Sequence, residues 1–283
     1  MSARRAGKAG PIAPYLAGFH ARFRTGLQYR AAAWAGFATQ AAWGVIRIAV
    51  MAAFVLGNAH VESPMEIEAL VAYIWLGQAM FFLIPWRIDV ELSELIRSGA
   101  LAYELARPID LYWFWFTRTA GAKLSGLVLR AIPLFVLALV VLPALGLDEW
   151  ALPLPPRWDS ALAWVGLTVI AAIMSAAVTT AVSTTMFWTI SGEGVAAVMP
   201  TFVIFFSGLI VPIPLFPLWA QPFFNALPFR AIADVPFRMY SGDIAPNAFL
   251  LEALFALAWT AAIIGIGRLL VWRGTRRVVI QGG

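Results

Sequence analysis

No cysteine occurs anywhere in the chain, which excludes disulfides and thiolate chemistry. The only two histidines, His20 and His60, are separated by a long apolar run. Charge is scarce as well. Asp, Glu, Lys and Arg make up 12% of 283 residues, against 61% apolar, where a soluble domain carries about a quarter charged. The strings HExxH and Gly-x-Ser-x-Gly are missing, and so is the phosphate loop Gly-x4-Gly-Lys-Ser/Thr. The nearest approach to that loop, RRAGKAG near the start, lacks both the first glycine at the right distance and the hydroxyl residue. These absences argue against an enzyme, a metal site, and ATP binding by this motif. The first thirty residues show no apolar core followed by a small-residue cleavage site, so no signal peptide is expected.

What the chain does have is apolar runs of about 20 residues or more, the length that crosses a bilayer core. Six spans are predicted, near residues 32–57, 67–86, 124–145, 160–188, 195–215 and 248–272. Their centres contain no Asp or Glu, which argues against a carboxylate relay of the kind that couples transport to ions. The net charge of +5 sits beside the spans, so it sets topology rather than nucleic-acid binding. Fifteen of the twenty basic residues fall before span 1, between spans 2 and 3, or at the end of the chain, and these include Arg22, Arg118, Lys123 and Arg268. Arg157, Arg230 and Arg238 fall on the opposite connections, and only Arg47 and Arg130 inside spans. The positive-inside rule then places both termini in the cytoplasm. The expected organisation is one all-α transmembrane domain over 1–283, with a cytoplasmic tail (1–31), a cytoplasmic loop (87–123) and an external segment (216–247).

Three segments outside the spans carry pattern. Residues 12–30 place Ile12, Tyr15, Leu16, Phe19 and Phe23 near one helical face, as in a basic helix lying flat at the interface. The stretch RIDVELSELIRSGALAYELARPID, 87–110, is charged and amphipathic. Ile88, Leu92, Leu95 and Ile96 fall at helical spacing, with Arg87, Glu91, Glu94 and Ser98 opposite. Gly99 stops this helix, Pro108 ends a second short one, and Asp110 can cap the next. A docking surface for a cytoplasmic partner explains both faces, whereas a disordered, solvated linker would not need the apolar spacing. The third segment, 216–247, is apolar but broken by five prolines. It reads as short helices folded back into the outer leaflet, or as an ordinary loop. As a lid, its apolar surface would come from Trp219, Phe223, Phe224 and Phe229, with Arg230, Asp234, Arg238 and Asp243 at a wet rim.

Inside the spans, Gln40, Trp43, Gly44, Arg47 and Met51 share one face of span 1, and Gln78 lies near the middle of span 2. A polar stripe of this kind points into a bundle or a wet cavity, although Arg47 can also snorkel to the surface. The candidate path residues are therefore Gln40, Trp43, Arg47 and Gln78. Small residues on span 4, from Ala172 to Thr184, offer either a solute path or close helix packing.

The strings IRSGALAYELARPIDLYWFW, FFSGLIVPIPLFPLWAQPFFNALPF and VPFRMYSGD, in that order, resemble ABC-2 type exporter permeases. The branch resembled has an Ile-x-x-Gly-x-Leu…Arg-Pro-x-Asp cytoplasmic loop. The resemblance implies the ABC-2 (type V) transmembrane fold in a bacterial cytoplasmic membrane. It implies two ATP-binding subunits as partners and a second permease subunit, identical or related. ATP and Mg would reside on those partners, with no cofactor on this chain and no nucleic acid. The helix at 88–98 would couple to the ATPase, through Glu91, Glu94, Leu95, Arg97, Gly99 and Arg107. Drug-like or lipid-like amphiphiles would be the cargo. A transporter or channel working alone is the alternative.

Overall fold

The computed structural model describes residues 10–57, 64–86, 88–189 and 193–277. Arg4, Arg5, Lys8, Arg87 and the side chain of Arg97 lie outside the described set. Every regular element among the described residues is helical. The helices are α1 (Ala13–Gln28), α2 (Arg30–Gly57), α3 (Ile67–Ala79), α4 (Val90–Ser98), α5 (Leu101–Leu105) and α6 (Leu111–Val136). After them come α7 (Trp158–Thr184), α8 (Glu193–Phe206), α9 (Gln221–Ala226), α10 (Asp234–Ser241) and α11 (Phe249–Thr275).

Four helices are long and apolar enough to cross a membrane: Arg30–Phe54, Leu111–Ala144, Trp158–Phe187 and Pro246–Thr275. The other two expected spans form shorter apolar helices. With 13 residues, α3 is about 20 Å long, short of the ~30 Å core. Its ten residues from Leu70 to Ala79 are all buried, which fits a helix that is apolar all round. The helix stops early for a local reason. Pro85 pushes Ile84 into extended geometry (ψ 138°), and a 3₁₀ turn over Phe81–Leu83 leads out of the helix. Tertiary partners satisfy the freed carbonyls: Lys123 Nζ donates to Leu83 and Ile84 O at 3.3 Å each, and the Ser175 hydroxyl also donates to Leu83 O. The small polar face of α7 thus receives the end of α3. Ser183 Oγ accepts the N–H of Asp89 at 3.0 Å.

Helix α6 starts thirteen residues before the expected span. The Asp110 side chain caps it, accepting the N–H of Trp113 at 3.1 Å. With its continuation through a π-helical turn at Leu137–Val141, the helix runs unbroken for 34 residues, about 51 Å. Arg118 and Lys123, expected in a loop, therefore lie on a helix. Alongside the first part of α6 lies α1: Gly18 faces Phe114 and Arg118, and Tyr15 Oη accepts the N–H of Asp110 at 2.9 Å. The expected interfacial helix thus has a protein neighbour along one side.

The main core joins α3, α6, α7, α8 and α10, and α11 packs along α7. A second core, built on Leu92, Leu101, Tyr112, Trp115 and Val271, seats α4 and α5 against the start of α6 and the end of α11.

Candidate functional site: a charged cavity behind α4

A cavity of about 850 Å³ opens between α1, α2, the end of α3, the start of α4 and α6. Helical spacing brings Thr119, Lys123 and Arg130 of α6 to one wall. Gln40 from α2 and Gln78 from α3 reach the same space. Phe81, Phe82, Ile84 and Trp86 from the turn after α3 give it an apolar side.

The charges divide into two groups. Asp89 and Glu91, at the start of α4, are already engaged. Asp89 caps α4, accepting the N–H groups of Glu91 (3.0 Å) and Leu92 (3.3 Å), and lies 3.6 Å from Arg22 Nη2. Glu91 pairs with Arg22 at 2.5 Å and with Arg118. Arg118 also approaches Glu104 (3.7 Å), a buried carboxylate that accepts from Trp115 Nε1 at 2.8 Å. Lys123 and Arg130 form the second group and have no carboxylate partner among the described residues. Lys123 is 8% exposed. The Arg130 guanidinium stacks over the Phe82 ring at 4.5 Å, and its buried Nε has no acceptor. Glycine at position 36 permits this placement, since a β-carbon there would fall 2.5 Å from Arg130 Nε.

Of the candidate path residues, Gln40 and Gln78 therefore meet at one cavity, and Trp43 and Arg47 are not in its lining. Trp43 is 55% exposed on the outside of α2. Arg47 Nη2 donates to the carbonyls of Leu209 (3.0 Å) and Ile210 (2.6 Å), where the chain leaves α8. Sequence reasoning did not place Arg22, Arg118, Lys123 and Arg130 at a site. The seven-residue spacing of Lys123 and Arg130 is a legible signal once the helix is started at its Asp110 cap.

The α4–α5 unit has an outward face. Glu94, Gly99 and Arg107 are exposed, Leu95 is half-buried, and Tyr103 is 79% exposed. Gly99 takes the left-handed conformation (φ 74°) that ends α4, as a glycine stop does. Glu91 is exposed as well, but it is held by the arginine pair described above.

At the opposite side of α3 the 216–247 segment enters the bundle. Phe224 is buried in a cluster with Phe205, Phe206 and Phe216, and Phe229 is half-buried against Phe206. Trp219 and Phe223 are exposed. Asp234 departs from its expected place at a wet rim and is fully buried. Its carboxylate accepts the N–H of Ile213 (3.0 Å), the hydroxyl of Tyr73 (3.0 Å) and Arg238 Nη1 (3.3 Å). Burial pushes this carboxyl up, against the pull of Arg238 and these donors. The charge is tolerable at zero exposure because each carboxylate oxygen has a donor. Arg230 likewise pairs inward with Glu252 at 2.6 Å.

Residues 63–282 match the family profile described as ABC-2 family transporter protein, a span that takes in α3 to α11. No curated protein and no solved structure matches the chain. With most of its length inside that profile and several helices able to span a membrane, the chain is a multi-pass membrane protein that belongs to the ABC-2 transporter family.

Proposed function

We propose that the chain is the permease subunit of an ATP-driven exporter in a bacterial cytoplasmic membrane, with both termini inside. Two ATP-binding subunits carry ATP and Mg, a second permease completes the path, and the cargo is amphipathic. One observation carries this reading: α4 has an outward face free for a partner, while its first turn lines the cavity through Asp89 and Glu91. A push on Glu94, Tyr103 or Arg107 is delivered through a seated helix to the Arg22–Glu91–Arg118 cluster, and so to the wall of the cavity. The buried second core beneath α4 makes the unit move as one body.

The test is reversal of the outward charges. Glu94→Lys with Arg107→Glu should lower co-purification with the ATP-binding subunit, or cut solute-stimulated ATP hydrolysis about tenfold, with the permease still folded. Intact association and coupled hydrolysis in that variant would overturn the docking face. Transport by the purified chain alone, driven by an ion gradient, would replace the exporter with a stand-alone transporter or channel.

A further inference from the structure

We infer that the cavity behind α4 is a binding site for an amphiphile with an anionic head, held by Lys123 and Arg130. This deepens the permease reading by naming the charge class of its cargo, and it rests on that reading for the role of the site.

Four cations and two carboxylates line the cavity: Arg22, Arg118, Lys123 and Arg130 against Asp89 and Glu91. Both carboxylates are engaged by Arg22, and Glu91 by Arg118 as well. Nothing acidic is left over for an incoming cation. On the other wall the balance is reversed. An ammonium has three donors, and Lys123 spends two on carbonyls at a long 3.3 Å. Arg130 makes no hydrogen bond to a described residue: its buried Nε has no acceptor, and its stacking on Phe82 leaves the terminal nitrogens free to take one. A guanidinium half removed from water without an acceptor is unfavourable, and an anion relieves this. The two groups stand seven residues apart on α6, about 10 Å along its axis, with Thr119 one turn from Lys123. Gln40 and Gln78 add neutral donors to the same lining.

The remaining walls suit an apolar body. Phe81 and Trp86 pack on each other at 4.7 Å, and Ile84 and Ile88 continue their surface. A cationic amphiphile would look for open ring faces, and Arg130 already covers one of the three in the lining, that of Phe82. The volume of about 850 Å³ lies in the range of small-molecule sites.

The full-length permease, without its ATPase, is placed in nanodiscs of phosphatidylcholine and titrated calorimetrically, with empty discs as the blank. The probes are octyl phosphate, octyltrimethylammonium and inorganic phosphate. Octyl phosphate should bind at least tenfold more tightly than octyltrimethylammonium. Arg130→Gln should weaken octyl phosphate at least fivefold, leaving the thermal melt and the weak binding of the cation unchanged. Gly36→Ala, which crowds Arg130 from the other side, should act in the same direction. Lys123→Gln also loosens the turn after α3, so Arg130→Gln is the deciding variant. Doping the discs with phosphatidylglycerol separates two sources of the anion. A lowered apparent affinity for octyl phosphate marks a membrane lipid as the occupant, and an unchanged one marks a soluble amphiphile. Equal binding of both octyl probes, or an Arg130→Gln protein that binds like the parent, overturns the inference. Inorganic phosphate competing at the concentration of octyl phosphate overturns the amphiphile in favour of a free anion. Loss of the charge preference would leave ATPase association untouched. Loss of ATPase association with the preference intact would instead leave an anion site on another kind of transporter.

Discussion

On one side of α3, Asp234, Tyr73, Arg238 and Arg47 bind one another or backbone carbonyls, and Asp234 has no solvent exposure. On the other side, Lys123 and Arg130 face open volume with donors to spare. Both sets are polar groups in an apolar bundle, and both would be costly if left bare. The difference is saturation. The first set is a lock: it ties α3 and the exit of α8 to α10, and it leaves nothing for a ligand to bind. The second is incomplete, which is what a site for an exchangeable partner requires. Two regions of similar composition therefore carry different roles, and the way to separate them is to remove one member of each.

The largest effect is expected from Asp234→Ala. It strips the acceptor from the Ile213 N–H and from Arg238, and takes one of two acceptors from Tyr73, whose hydroxyl keeps Gly208 O at 2.9 Å. Breaking a buried pair from one side costs about 3–5 kcal/mol. Arg238 still has Asp243, so about 3 kcal/mol is the expected loss. Thermal unfolding of the purified protein should show a clear fall in the midpoint, whereas Arg130→Gln should leave it in place. A melt as high as the parent's would mean that Asp234 is not part of a lock.

Next in size is Arg47→Met. Two charge-assisted bonds to Leu209 and Ile210 carbonyls are lost, and the methionine keeps much of the apolar stem. About 2 kcal/mol is expected, since hydrogen bonds to charged groups contribute about 1.5–3 kcal/mol. The same variant sharpens the comparison. A residue of the lock lowers stability and leaves the binding of octyl phosphate alone. A residue of the cavity does the reverse, so a stable Arg47→Met protein with altered binding would move Arg47 into the path.

Much of this arrangement can be read from residue order. The four long helices follow from apolar length, and Asp110 and Gly99 mark helix ends by cap chemistry alone. Gln40 and Gln78, both candidates from their polar character inside apolar spans, line one cavity. What escapes sequence reading depends on partners far along the chain. Asp234 looks like a rim residue until Tyr73, 161 positions away, supplies its hydrogen bond. Lys123 looks like a loop cation because apolarity begins after it, although the cap at Asp110 already starts the helix. The early end of α3 is written in Pro85, yet the carbonyls it frees are satisfied by Lys123 and Ser175, which no local pattern identifies.

The smallest energetic effect, and the sharpest test of how the 216–247 segment sits, comes from single cysteines in this cysteine-free chain. Trp219 is 83% exposed, whereas Phe224, five residues on, is 5% exposed in its aromatic cluster. Asn247 stands at the start of the last long helix, beside a proline and after the charged Asp243. Trp219→Cys removes a side chain that packs on little within the chain, so its stability cost should stay below about 0.5 kcal/mol. An exposed tryptophan at the tip of an apolar, proline-broken segment suits the interfacial zone, where an amphipathic ring is stable against lipid. The expected pattern therefore has three parts. Trp219→Cys should react with a membrane-permeant maleimide and resist a charged, impermeant one. Asn247→Cys should react with both from outside the cell, and Phe224→Cys with neither until the protein is unfolded. Rapid reaction of Trp219→Cys with the charged reagent would place that tip in water and make the segment an ordinary loop over its length up to Phe224. Rapid reaction of Phe224→Cys as well would mean that the aromatic cluster opens, and that this side of the molecule is no more sealed than the cavity behind α4.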